Sequence, residues 1–523
     1  MALVLVLAPL AANTPLFDPD EGLHAAIAQE MVLRGDYVTP TFLGEPFLDK
    51  PILFFWAEAA SIRVFGSREF AVRLPPLLFG VLAMIAVAAL GRSMFDENTG
   101  LMAGIVYGTM LLPLGVSEVA VHDVAVVPFM CVACAALFHL KAETTGKNFL
   151  FLSILGGIAL GLSILTKGLV AVAFTGILGI CLAVRDRSAI VRIGTFLTIA
   201  GVVAVLVALP WYLAMERAHP GYLHYYFIER HLQGYLTATQ RHSGRGWWYY
   251  LPIVIGGTLP WTGYLAGAAR TARARPTRII VWAWFVAGLL FLSAAESKLV
   301  TYVLPLFPAL ALLAGERITS LGRFTGRLSY AVYATSLAVI PAGALAAVAF
   351  KFGHVTAQMW LAIAITSGLT AMIGLRGRAL GAATLEDAAV VALRLPVVAL
   401  FALMIVTPRA AAWMTARDLA AALNAGGSLP SHVSVLDERV GSLIFYLSPA
   451  LRAAATPERI DEATMPEAIT RARVQPADAV IAVRDDQLPH FARMFTTPPL
   501  PDAHAGTFTI FRAETLQRAL RNP

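Results

Sequence analysis

The chain has 523 residues, 58% of them hydrophobic and only 14% charged, with a mean hydropathy of +0.70. A soluble globular protein carries roughly a quarter charged residues, so this composition excludes a soluble enzyme and indicates an all-α polytopic membrane protein. The net charge of +7 does not imply a nucleic-acid partner, because the arginines cluster in short loops between apolar runs, as cytoplasmic loops do.

Met1 to Asn13 is apolar but too short to cross a bilayer. It lacks the basic leading region of a signal peptide, and reads as a shortened first helix or one cut by a misplaced start codon. The first outer loop, 14–69, follows. Asp18-Pro19 with Glu21 has the pattern of a capping box with proline at the first helical position. Leu23, Ile27 and Met31 then form one apolar stripe, which predicts an amphipathic helix at the membrane surface. Capping explains Asp18 and Glu21 and leaves Asp20 without a structural job. Lys50 precedes Pro51, so its backbone is extended. It reads either as an interfacial lysine reaching water or as a cation for a lipid phosphate.

Further on, Phe149 to Val184 is broken only by Lys167 and is too long for one span. It predicts two helices with Lys167 at the hairpin between them. Basic loops occur at Lys141 to Lys147, Arg185 to Arg192, Arg270 to Arg278, Arg317 to Arg327 and Arg376 to Arg394, with another beginning at Arg92. Placing all of these in the cytoplasm gives roughly thirteen spans of about 20 residues, with the N-terminus inside and the C-terminus outside. Glu118 with His122-Asp123, Lys167, Glu296-Ser297-Lys298 with Tyr302, and the second long outer loop 214–249 then share the outer face. That loop carries Arg230, His231, Arg241, His242 and the pair Trp247-Trp248. Its histidines lack the spacing of a zinc site, so no cofactor is required, and a divalent metal, left open, has no support from ligand spacing. Cys131, Cys134 and Cys181 all fall in apolar runs and read as packing residues.

From about Ala416 the composition changes. Val433 to Asp437, Leu443 to Leu447, Ala479 to Val483 and Thr507 to Phe511 read as strands, with helices around Glu458 to Arg473 and Leu488 to Phe495. The domains are therefore a transmembrane module, 1–415, and a small α/β domain outside the cytoplasm, 416–523.

Cations and acids gathered at one face of a membrane protein suit an anionic lipid substrate. The ordered motifs D-P-D-E-G, G-E-P-F-L-D-K-P, H-D, T-K-G, W-W-Y-Y-L-P and S-K-L-V-T-Y-V-L-P resemble the bacterial aminoarabinose transferases of lipid A. They also resemble the wider protein O-mannosyltransferase-like set of the GT-C superfamily. The resemblance covers about Phe17 to Pro308. It implies a GT-C fold and a glycosyltransferase of the bacterial inner membrane, with its active site and C-terminal domain facing the periplasm. The implied donor is an undecaprenyl-phosphate-linked sugar, and the implied acceptor is lipid A or another envelope glycan.

By the same resemblance Asp20 is the catalytic acid and Lys50 meets the donor phosphate. Asp123, Lys167 and Lys298 fall on further motif positions, the lysines as phosphate ligands. Glu21, Arg230, His231 and Tyr302 are candidates for the substrate loops. Leu23 and His24 stand where aminoarabinose transferases have an arginine and an aromatic, so the reaction type carries over more firmly than that sugar. Transfer to Ser or Thr of a protein is the alternative acceptor chemistry. A lipid or solute transporter is the alternative class, and it would call for repeated halves and broken helices near the midplane.

Overall fold

The computed structural model describes residues 14–140, 143–237, 244–270, 275–321 and, with short gaps, 413–516, together with five isolated positions between 357 and 368. The segment 1–13, Arg241, His242 and the loop Arg376 to Arg394 lie outside the described residues, as does most of Arg317 to Arg327. The first helix, α1 (Asp20–Arg34), has Asp20 and Glu21 in its first turn and Arg34 in its last, charges that suit the helix dipole at both ends. Gly35, at φ 67°, ends it and returns its N–H to Met31 O, a left-handed closure that glycine adopts without strain. Glu30 near the end of α1 accepts from Thr41 Oγ1, Leu43 N–H and Gly44 N–H at 2.7–2.9 Å. It thereby straps the hairpin β1 (Thr41–Phe42) and β2 (Glu45–Pro46) to the helix. The chain then passes Lys50 into α2 (Leu53–Phe65).

The membrane module continues through α3 (Glu69–Met94), α4 (Glu97–Thr109), α5 (Leu111–Ser117), α6 (Asp123–Phe138), α7 (Gly146–Lys167), α8 (Val170–Arg185), α9 (Ile190–Ala218), α10 (Pro276–Ala294) and α11 (Phe307–Leu321). Among the described residues, five helical runs are long and apolar enough to span a bilayer, and six if α4 and α5 count as one span bent by 65°. The apolar run from Phe149 divides at Lys167, between α7 and α8, as its length requires. Close backbone approach joins α7 to α9. A Cβ on Gly157 would meet Ala200 O at 2.7 Å, and one on Gly161 would meet Ala204 O at 2.9 Å, the small-residue spacing that lets membrane helices touch.

The C-terminal region carries a five-stranded sheet of order β4-β3-β5-β7-β6. Its strands are β3 (His432–Leu436), β4 (Thr456–Ile460), β5 (Ala479–Arg484), β6 (Ala503–Ala505) and β7 (Phe508–Arg512). The β3–β4 and β3–β5 pairs are parallel, and β5–β7 and β6–β7 are antiparallel. Val433, Val435, Val480, Ala482 and Ile510 face α12 (Arg417–Ala425) and α13 (Gly441–Tyr446). Leu436, Ile481, Val483 and Phe511 face α14 (Met465–Val474) and α15 (Leu488–Ala492). This alternation is the mark of a sheet covered on both sides.

Leu443 to Leu447 is a correction: it forms most of the helix α13 rather than a strand. Leu443, Ile444 and Leu447 pack into the core of this region while Phe445 packs into the membrane module. A short segment buried all round has no polar side to mark its period.

The first loop is a second correction. Pro19 precedes α1 with no side-chain cap, because tertiary partners occupy both acids of the expected capping box. Nor does α1 lie at a surface with one wet face. Gly22, His24, Ala25, Ala26, Ile27, Ala28, Gln29 and Met31 are all buried, with Ile27 in the membrane module's core and Ala26 in that of the C-terminal region. The helix is sandwiched between the two.

Candidate active site

Asp20 is exposed, and among the described residues its carboxylate makes no hydrogen bond or ion pair. Its neighbour Glu21 is the opposite case. Only 1% exposed, it receives Nε–H and Nη2–H of Arg73 at 2.7 and 2.6 Å, and Arg73 is itself only 2% exposed. Glu21 also accepts from Phe17 N–H at 2.9 Å and Ala120 N–H at 3.3 Å. Glu21, a substrate-loop candidate from the sequence, is therefore a buried structural anion.

Lys50 has no ion-pair partner within 4 Å among the described residues. The neighbouring Asp49 is engaged instead by Arg230 at 3.0 Å and by Tyr225 O–H at 2.6 Å. These two project from a π-helical stretch, Tyr225–Gln233, in the second long outer loop. Burial and the charge of Lys167 pull the Lys50 ammonium down to about 8.

Lys167 closes α7 and pairs with Asp123 at the start of α6, and its ammonium lies 4.1 Å from the centre of the Tyr302 ring. His231 donates from Nδ1 to Tyr226 O at 2.8 Å, and burial pushes its pKa down. Asp20, Lys50 and Asp123 all act electrostatically on His24, and Asp123, Arg230, Asp20 and Asp49 on Tyr302. One cluster thus joins Asp20, Lys50, Asp123, Lys167, Arg230 and Tyr302.

Lys298 stands apart from that cluster in its contacts. Its ammonium donates to Ala295 O and to Arg245 O, and Ala295 ends α10, where helix carbonyls lack partners. Among the described residues, no three His, Cys, Asp or Glu side chains converge as metal ligands.

Two histidines that the sequence named without giving either a role form a pair in the fold. His24 and His122 meet edge to face at 4.6 Å between ring centres, walled by Phe54 and Phe55. His24 donates from Nδ1 to Ala120 O at 2.8 Å, and burial lowers its pKa to about 4. His122 is 1% exposed, with no partner for either nitrogen among the described residues. Burial and the charges of Lys50 and Lys167 hold it neutral. An isolated histidine next to an acid carries no spacing signal, so only the fold reveals the pair.

Among the described residues this arrangement gathers an unpaired carboxylate, an unpaired cation, two further cations and a tyrosine. It can hold an anion and orient a hydroxyl or phosphate next to it. Residues 49–213 match the family model described as dolichyl-phosphate-mannose-protein mannosyltransferase. The undecaprenyl phosphate-α-4-amino-4-deoxy-L-arabinose arabinosyl transferase of Aeromonas salmonicida is 34% identical over 60% of this chain and 57% of its own length. Its counterpart in Proteus mirabilis is 33% identical over 57% and 54%. The chain therefore spans a little over half the length of these relatives. In fold, ArnT from Cupriavidus metallidurans bound to undecaprenyl phosphate superposes with a TM-score of 0.78 at 22% identity, over 98% of this chain and 96% of that one. An archaeal oligosaccharyltransferase from Archaeoglobus fulgidus gives 0.53 at 12% identity, over 94% and 70%. In sequence the chain is similar to the undecaprenyl-phosphate aminoarabinose transferases, and it is a multi-pass membrane protein with the fold of ArnT.

Proposed function

We propose that this protein is an inverting glycosyltransferase that moves a sugar from a polyprenyl-phosphate donor to lipid A or another envelope glycan. The observation that carries the reading is that the Asp20 carboxylate and the Lys50 ammonium, neither bonded nor ion-paired among the described residues, both act on the buried His24. An oxygen of the acceptor attacks the anomeric carbon from the face opposite the phosphate. The bond from that carbon to the phosphate oxygen breaks, and its electron pair stays on the lipid phosphate. Lys50 and Arg230 stabilise the charge that develops there, with Lys167 close by and its charge shared with Asp123. For a hydroxyl acceptor Asp20 takes the proton; for a phosphate acceptor there is none to take, and Asp20 positions the group. The lysines and arginine supply the positive charge, so the reading calls for no metal.

The finer topology belongs to the same proposal: roughly thirteen spans, the inner membrane, and a site facing the periplasm. The packing of α13 against α1 supports it, since the C-terminal region and the Asp20 loop then share one side of the membrane. The mannosyltransferase match over 49–213 favours transfer to protein Ser or Thr as the second reading.

The test is transfer by purified protein in nanodiscs, supplied with undecaprenyl-phosphate-linked pentoses, hexoses or amino sugars, and with lipid A or a Ser/Thr peptide. Sugar on lipid A, lost in Asp20→Asn, is expected. Sugar on the peptide moves the assignment to the second reading, and no transfer from any such donor overturns both.

A further inference from the structure

Among the described residues the Asp20 carboxylate makes no hydrogen bond or ion pair, so the backbone on either side of it sets where it points. That backbone is held from two directions. On the membrane side, Arg73 binds Glu21 and also donates to Thr14 O and Pro15 O. On the other side the partners come from the C-terminal region. Leu16 N–H donates to Tyr446 Oη at 2.9 Å, and Tyr446 O–H in turn donates to Glu69 at 3.0 Å. Asp18 N–H donates to Met414 O at 2.7 Å. The Asp18 carboxylate accepts from Ser442 N–H at 3.0 Å and also from Ser442 Oγ–H. Farther along α1, Gln29 donates to Phe445 O at 3.2 Å.

The approach is close as well as bonded. A Cβ on Gly22 would meet Ser442 N at 2.5 Å, and a Cβ on Gly441 would meet Leu23 N at 2.4 Å. Main chain lies on main chain at this point, so neither glycine accepts a side chain without moving α1. The residues two before and two after Asp20 are therefore both seated on α13.

From this we infer that the C-terminal region is part of the catalytic apparatus, with Ser442, Gly441 and Tyr446 as positioning residues that hold the first turn of α1 and so aim the Asp20 carboxylate. The inference rests on the proposed role of Asp20 as the group that meets the acceptor. None of the three is required to touch substrate. A displacement of about 1 Å at a reacting group is worth on the order of a hundredfold in rate. The seat therefore acts on turnover and leaves alone the donor phosphate, which Lys50 and Arg230 hold from other elements.

The experiment compares Ser442→Ala, Gly441→Ala, Asp18→Ala and Asp18→Asn in the full chain. It reads kcat and donor KM separately, undecaprenyl phosphate binding, and amide hydrogen exchange across residues 16–24. For the first three variants the expected result is kcat lower by about tenfold to a hundredfold, donor KM and lipid-phosphate binding within about twofold, and faster exchange in that peptide. Asp18→Asn keeps an acceptor for Ser442 and is expected to recover most of the rate lost in Asp18→Ala. Unchanged kcat or unchanged exchange in Ser442→Ala and Asp18→Ala overturns the inference. So does an Asp18→Asn variant as impaired as Asp18→Ala, or a parallel loss of kcat and donor binding in a folded Ser442→Ala. Should the wild-type protein transfer no sugar, the proposed function fails by itself, and the exchange measurement still decides whether α13 holds the first turn.

Discussion

Glu21→Gln separates the local reading of the first loop from the tertiary one. As half of a capping box, Glu21 would contribute about 1 kcal/mol or less, and its amide would replace it with little loss. In the fold it is the buried counter-ion of Arg73, with two charge-assisted bonds of 2.6–2.7 Å. Removing one partner of such a pair leaves an uncompensated charge and costs about 3–5 kcal/mol. A neighbour softens the loss. Burial holds Glu118 up at about 8 against the pull of Arg73, and the Glu21 charge adds to that rise. With Glu21 neutral that part of the rise is gone, and Glu118 can ionise in its place at pH 7 at a cost of at most about 1.4 kcal/mol, one pKa unit. Glu21→Gln is therefore expected to lose about 2–3 kcal/mol, and Glu21→Gln with Glu118→Gln the full amount. Unfolding in mixed micelles by titration with a denaturing detergent measures both, beside Asp20→Asn as the exposed control. A loss below about 1 kcal/mol in the double variant would refute the argument, since Arg73 would then not depend on these acids.

Asp20→Asn keeps size and hydrogen-bond acceptance but not basicity; turnover of a hydroxyl acceptor is expected to fall about 10²- to 10⁴-fold with stability unchanged, measured by transfer rate and unfolding together. Lys50→Ala is expected to abolish undecaprenyl phosphate binding and Lys50→Arg to keep part of it, because the charge survives with altered geometry. In the wild type the Lys50 charge is present below about 8 and lost as pH rises through it. Lipid-phosphate affinity should therefore decline above that pH, and in Lys50→Arg it should stay level; a flat wild-type profile would remove Lys50 from the phosphate site. Reporter fusions at Arg275 and Ser431 should give opposite sidedness, and the same side for both would overturn the topology.

What the sequence disclosed, and what it hid, follows the range of the interactions. The α7–α8 hairpin at Lys167 follows from an apolar run too long for one span, and β3, β5 and β7 from short β-rich runs between turns. Asp20 stood out because it lacked a local structural reason, while Lys50 stood open between an interfacial anchor and a phosphate ligand. The partners of Asp18 and Glu21 could not be read: Ser442 and Arg73 lie 424 and 52 residues away. A capping pattern records only what the nearest turn offers, and distant groups made a better offer. The π-helical stretch that frees Lys50 by engaging Asp49 is hidden for the same reason.

The strap from Glu30 to the β1–β2 hairpin has a consequence for how such a site can diversify. At about 1.5 Å per residue, α1 is a rod of roughly 22 Å, with Asp20 at one end and Glu30 near the other. Glu30 fixes the hairpin, and the hairpin delivers Lys50. Acid and cation thus belong to one continuous stretch of chain, tied within itself by Glu30 and braced from outside by Arg73, α13 and Arg230. Substitutions that spare these braces leave the spacing of the two groups as it is, so the rest of the surrounding surface can vary with the sugar and the acceptor.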